Sequence, residues 1–149
     1  MPTVEKVART DAGLASELRM SVMRLRRRLA SERDPDNDLS LPVMAVLGAL
    51  FRSGELTVGE LAAQERVQPP TMTRKVAFLE EGGYITRRAH ETDGRVVLVT
   101  LTERGRDVVL ADRTRRDRWL SRQLRDLSPA DRDVLRAAAP ILKNLAERD

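Results

Sequence analysis

Apolar residues recur at three- and four-residue spacing from the start of the readable pattern. Leu14, Leu18, Val22, Leu25 and Leu29 form one such stripe, and Arg19, Arg24, Arg26, Arg27 and Arg28 mostly flank it. That period puts the apolar side chains on one face, so it predicts an amphipathic helix over residues 12–32. Residues 1–10 show no period and are expected to fray. The segment 31–38 is polar, carries Pro35 and breaks the pattern. Ser40 then offers an N-cap, Pro42 is tolerated in the first turn, and Met44, Leu47, Leu50 and Phe51 mark a second helix that stops at Ser53-Gly54.

Thr57 stands three residues before Glu60, the spacing of a capping box, and opens a short helix from Val58 to about Glu65 with Leu61 and Ala62 on its apolar side. A brief turn through Arg66-Val67-Gln68 leads to Pro69 and Pro70, which fit a first turn because no intrahelical N–H bond is lost there. This helix runs to Glu80 and stops at Gly82-Gly83. The texture then changes. Residues 84–89 and 95–101 are rich in β-branched side chains, and Asp93-Gly94 between them signals a hairpin turn. Thr102 can cap a long charged helix reaching about Leu127. Ser128, Pro129 and Asp131 restart a final helix, whose apolar face is Val134, Leu135, Ala138, Leu142 and Leu145 and which Pro140 is expected to kink.

Two short helices joined by a tight turn and followed by a hairpin have the order of a winged helix-turn-helix. The predicted fold class is therefore mainly α with a small β-hairpin wing. The winged helix-turn-helix, a DNA-binding domain, is assigned to residues 36–101, between an N-terminal part of a dimerisation region (1–35) and C-terminal dimerisation helices (102–149). Dimerisation enters because the first and last helices carry apolar stripes with no evident partner in so small a core, and a soluble monomer rarely exposes that much apolar surface.

Composition narrows the function. Charged residues make up 34% and aromatics 3%, which disfavours a sheet-rich fold. With no cysteine there is no disulfide, thiolate nucleophile, cysteine-ligated zinc or thiol switch, and the one histidine cannot build a multi-histidine metal site within one chain. No apolar run approaches a membrane span and the N-terminus has no signal-like apolar stretch, so a cytoplasmic protein with no membrane partner is expected. No Gly-rich phosphate loop or nucleophile elbow is present, and neither an enzymatic activity nor a cofactor is expected. The net charge is only +4, yet 24 of the 27 basic residues are arginine. Codon usage accounts for most of that total, so position decides its meaning.

On the helix opened by Pro69, Met72, Val76 and Leu79 fall within about 60° of one another and form the buried stripe. Pro70, Thr71, Thr73, Arg74 and Ala77 point elsewhere. Small and hydroxyl-bearing residues with one arginine suit close approach to a major groove. Arg74 can take guanine bidentately, and Thr71 and Thr73 can meet a thymine methyl, a base edge or a phosphate. Taken alone, these are equally ordinary solvated residues. The hairpin shifts the balance, because Arg87, Arg88, His90 and Arg95 concentrate positive charge around it, and an arginine at a hairpin tip suits the minor groove. Asp93 either bonds its own backbone to make the turn or pairs with Arg95. His90 reads first as a solvated loop residue and only second as a specific contact. The run Arg113, Arg115, Arg116, Arg118, Arg122 and Arg125 is interleaved with Asp112, Asp117 and Asp126 and reads as a solvated, ion-paired face rather than a DNA surface.

The sequence resembles the MarR (multiple antibiotic resistance regulator) family of bacterial transcription regulators. The resemblance rests on Thr57-Val-Gly-Glu-Leu-Ala62, Thr71-Met-Thr-Arg74, Leu79-Glu-Glu-Gly-Gly-Tyr-Ile85, and above all Asp93-Gly-Arg95 followed by Val99-Thr-Leu-Thr-Glu-Arg-Gly105. It implies a homodimer that binds double-stranded DNA at a pseudo-palindromic operator and acts as a transcriptional regulator, commonly a repressor. It implies recognition-helix contacts by Thr71, Thr73 and Arg74, and a wing contact by Arg95 with Asp93 steadying it; Gln68 and Pro70 beside the first set, and Arg88 and His90 beside the second, complete the candidate DNA-binding residues. It further implies a small aromatic or phenolic anion as effector. Met20, Met23, Met44 and Trp119 are candidates to line its pocket, although methionines at helical spacing are more often core. Lys75, Ala77 and Phe78 depart from the family pattern; Lys75 is expected to pack its stem, and Phe78 falls on an outward or edge position, with packing under the wing or against the first or fifth helix as the alternative. The competing reading is a winged-helix module for protein–protein interaction without DNA binding.

Overall fold

A computed structural model describes residues 9–148. Six helices are described there: α1 Asp11–Ala30, α2 Leu41–Ser53, α3 Val58–Glu65, α4 Pro69–Glu81, α5 Glu103–Arg125 and α6 Pro129–Ala146. Of the stretch expected to fray, residues 1–8 lie outside the described residues, while Thr10 already caps α1 by accepting the Gly13 N–H at 3.0 Å. The other starts lie at the expected residues. Ser40, Thr57, Thr102 and Ser128 each accept the N–H three residues on, and Glu60 closes the capping box on Thr57. Helix α6 continues past Pro140 to Ala146.

The sheet has one strand more than the hairpin. Strands β1 (Leu56–Thr57), β2 (Ile85–Ala89) and β3 (Val97–Leu101) are antiparallel in the order β1-β3-β2, with Leu56 opposite Val99 and Arg88 opposite Leu98. A two-residue strand is too short to show a period, which is why the pattern missed it. The hairpin also turns differently from the expected tight turn. Asp93-Gly94 sits inside a tip loop over residues 90–96, closed by His90 N–H to Val96 O at 2.8 Å and Val96 N–H to Asp93 O at 3.0 Å. Gly94 has no positive φ, so this is not the mirror-image turn that Asp-Gly usually makes. Arg95, expected at the start of a strand, is carried in the tip.

The core lies among α2, α3, α4 and the sheet. Leu47, Leu61, Met72, Val76, Leu79, Ile85 and Val99 are fully or almost fully buried. Each such side chain is worth about 1.5–3 kcal/mol relative to exposure, so this cluster holds α4 and the wing in one unit. Between α3 and α4 the turn places Arg66 at φ 53°, and its cost is offset by Arg66 N–H to Ala63 O at 3.2 Å and Val67 N–H to Ala62 O at 3.0 Å.

Asp112 departs from the expected solvated face of α5. It is completely buried. Its Oδ1 accepts the Asp34 N–H at 3.0 Å and its Oδ2 the Asn37 Nδ2 at 3.1 Å, with Arg116 at 3.8 Å and Arg33 at 3.9 Å. It thereby pins the polar α1–α2 connection onto the middle of α5. Arg113 likewise lies over the Phe51 ring, 4.3 Å from its centroid, and stitches α5 to α2. Among the described residues, Arg115, Arg118, Arg122 and Arg125 have no ion pair, so the expected ion-paired face is confined to Arg116.

The terminal helices are the exception to burial. Helix α6 buries no residue and α1 only Gly13. Leu14, Val22, Met23, Val134 and Ile141 remain exposed, Ile141 at 60%. Arg28 of α1 stacks 4.4 Å above the Trp119 ring of α5.

Candidate nucleic-acid interface

Helix α4 turns its buried stripe of Met72, Val76 and Leu79 to the core and thereby its other face outward. Its start is open. Gln68 is the N-cap residue but makes no side-chain cap bond, so its amide is exposed, and Pro69 and Pro70 present rings where N–H groups would be. Thr73 donates its hydroxyl to Pro69 O at 3.0 Å, which leaves the oxygen free only to accept. Arg74 is exposed and reaches Thr71 Oγ1 at 3.5 Å, a long contact, and it has no carboxylate partner among the described residues. Lys75 is half-buried, as stem packing requires. Phe78 does not pack under the wing or against another helix. It is 54% exposed. The buried stripe faces the core, and Phe78 sits about 100° or more away from Val76 and Leu79 around the helix, on the solvent side.

The wing holds a second correction. Arg87 and Arg88 do not add free positive charge. Arg87 is clamped bidentately by Glu80 at 3.0 and 2.9 Å, and Arg88 by Glu55 at 2.8 and 2.9 Å. Thr100 adds a hydrogen bond to Glu55 at 3.0 Å. The hydrogen bond from Arg88, then that from Thr100, holds the Glu55 carboxyl below its ordinary value; that from Arg87 does the same for Glu80, and Glu80 raises Arg87. Nothing local in the sequence announces these partners, because Glu55 is 33 residues from Arg88 and 45 from Thr100. Sheet pairing alone brings them together.

Arg95 is more exposed than Arg87 or Arg88, with a side chain 95% in solvent. Both roles open to Asp93 are filled at once: its Oδ1 accepts the Arg95 N–H at 3.1 Å and lies 3.5 Å from Arg95 Nε. The carboxylate therefore shapes the tip and steadies the side chain it leaves in solvent. His90 is tied into the same loop, its Nδ1 accepting the Thr92 N–H at 3.2 Å.

The wing is joined to α5 by a backbone contact. Thr102 N–H donates to Tyr84 O at 3.1 Å and its hydroxyl to Gly83 O at 2.6 Å, while Gly105 packs directly on Tyr84 O. Farther along α5, a cavity of about 780 Å³ opens between α1, α2, α5 and α6. Its walls include Val22, Leu29, Val109 and Leu142, with Arg26, Arg52, Arg113 and Arg116 among them. Met23 and Met44 are among the residues that line it; Met20 and Trp119 are not.

The MarR family model matches residues 39–97, which span α2 through the tip of the wing. An HTH-type transcriptional regulator of Mycobacterium bovis is 43% identical over 93% of this chain and 96% of the relative. The chain belongs to the MarR family. A MarR family protein from Bacillus stearothermophilus superimposes with a TM-score of 0.79 at 26% identity, covering 94% of this chain and 97% of that one. Streptococcus pneumoniae FabT, solved in complex with DNA, shares the fold at a TM-score of 0.69 and 22% identity, over 92% of this chain and 98% of that one. This MarR-family protein is thus a DNA-binding transcription regulator built on a winged helix, and not an enzyme. Among its described residues no helix is long and apolar enough to cross a membrane.

Proposed function

We propose that this MarR-family regulator works as a cytoplasmic homodimer that represses transcription from a pseudo-palindromic operator. The winged unit over residues 36–101 reads DNA, while 1–35 and 102–149 supply the dimer contacts. One observation carries the reading. Arg95 stands almost wholly in solvent at the wing tip with Asp93 steadying it, while the face of α4 bearing Arg74 is left open. Gln68, Pro70, Thr71, Thr73 and Arg74 then meet a major groove, and His90 and Arg95 the adjacent minor groove, with Asp93 holding Arg95 in place. Arg88 reaches a phosphate only by giving up Glu55.

The bare faces of α1 and α6 support the dimer. A two-fold axis through them would set the two recognition helices roughly 34–36 Å apart, one helical turn of DNA. The FabT complex supports DNA as the partner. An apolar cavity bordered by arginines supports a small aromatic or phenolic anion as effector, which acts only through unequal affinity for the DNA-competent and DNA-released conformations.

Fluorescence anisotropy with the DNA upstream of the protein's own coding region tests the reading. Arg95→Ala is expected to weaken binding strongly, to lower the salt slope by about one, and to leave the dimer intact by gel filtration. Addition of salicylate as a probe anion is expected to weaken the complex. No binding by the wild-type protein at low salt would favour a protein–protein module instead.

A further inference from the structure

The chain has four aromatic side chains, one Trp, one Tyr and two Phe. Three of them are half-buried and covered by arginine: Trp119 by Arg28, Tyr84 by Arg104, and Phe51 by Arg106 and Arg113. Phe78 is different. It is more than half exposed, no guanidinium lies over it among the described residues, and it sits on α4. Nor does it belong to the apolar surface that the dimer would cover, which is carried by α1 and α6. Helix α4 packs instead on α3, β2 and α2.

Its position along α4 is informative. At 100° per residue, Phe78 lies about 40° from Arg74 and about 20° from Thr71, so the three form one line along the exposed face. At 1.5 Å per residue it lies about 6 Å beyond Arg74, a displacement of roughly two base pairs in a duplex. Solvent contact with half a phenyl ring is unfavourable, and an apolar side chain in a major groove has one matching feature there, the C5-methyl group of thymine.

We infer that Phe78 is a specificity-determining residue that selects a thymine in each half-site by apolar contact with its methyl group. The inference rests on the DNA-reading face assigned to α4 above. It extends that face by one helical turn beyond Arg74 and makes its inner edge apolar rather than ionic.

The test is made on the full-length protein. The wild-type chain selects duplexes from a random library at low salt, and the enriched duplex is resynthesised with each thymine in turn replaced by deoxyuridine, which removes only the methyl. Wild type is expected to lose about four-fold in affinity at one thymine per half-site, the equilibrium cost of about one methylene-sized group leaving an apolar contact. Phe78→Ala is expected to bind the two duplexes equally at that position while responding normally elsewhere. Phe78→Leu, which keeps an apolar side chain, is expected to retain part of the discrimination. Since the ring is exposed, thermal unfolding of both variants should match wild type, and a folding defect would show there. A Phe78→Ala profile identical to wild type at every thymine, or an enriched duplex with no sensitive thymine, overturns this contact alone. Failure of the wild type to enrich any duplex overturns the DNA reading beneath it.

Discussion

Replacing Gly105 by alanine tests how the wing is attached to α5. A Cβ at this position would stand 2.1 Å from the Tyr84 carbonyl oxygen and 3.0 Å from Leu101 Cδ2. Backbone cannot rotate away as a side chain does, so α5 and the Gly83-Tyr84 segment must part by about 1 Å. Three hydrogen bonds cross or brace that junction: Thr102 N–H to Tyr84 O at 3.1 Å, Thr102 Oγ1–H to Gly83 O at 2.6 Å, and Gly105 N–H to Thr102 Oγ1 at 3.2 Å. At about 1 kcal/mol each, their loss comes to roughly 3 kcal/mol. The better helix propensity of alanine returns at most about 1 kcal/mol. The steric loss wins, with a net cost of about 2–3 kcal/mol. For a chain of this size that corresponds to a fall in Tm of roughly 5–10 °C. The assay is thermal unfolding followed by circular dichroism at fixed protomer concentration, because dimer dissociation would otherwise enter the midpoint. A Tm equal to or above wild type would refute the reasoning, since propensity alone predicts that sign.

Asp112→Ala should be more costly, about 3–5 kcal/mol, because the Asp34 N–H and the Asn37 amide lose a buried acceptor while the Arg33 and Arg116 guanidiniums lose their counter-charge; urea unfolding measures it, and a loss under 1 kcal/mol would contradict the buried arrangement. Ile141→Asp places a charge at a position 60% exposed within one chain, so it should leave the reading head folded yet shift the protein to monomer in analytical ultracentrifugation; an unchanged dimer would remove α6 from the interface. The Glu55 and Glu80 carboxyls are held below the ordinary value of 4.5, so their contribution is complete above that range and is lost as pH falls through the lowered folded values. NMR titration of the two side-chain carboxyls should therefore give midpoints below 4.5; Arg87→Ala should return that of Glu80 towards the ordinary value, and Arg88→Ala should raise that of Glu55 only part of the way, because the Thr100 hydrogen bond remains.

The local chemistry of this chain was legible without a structure. Helix starts at Ser40, Thr57, Thr102 and Ser128, the buried stripe of α4 and the order helix–turn–helix–wing all depend on residues within one or two turns of each other. Such short-range choices are made by capping, periodicity and proline placement, which a sequence displays directly. The bare apolar faces of the first and last helices were legible for the same reason. What only the tertiary structure decided is how charges pair across the chain. Sheet pairing, not spacing, brings Glu55 to Arg88; packing of α4 on β2 brings Glu80 to Arg87; and the folded α1–α2 connection buries Asp112. An ion pair depends on distance in space, so a count of arginines near a hairpin overstates its charge. The sequence pointed to a basic wing; the fold neutralises Arg87 and Arg88, leaves Arg95 in solvent, and sets Phe78 outward on α4, because the core reaches only one face of that helix.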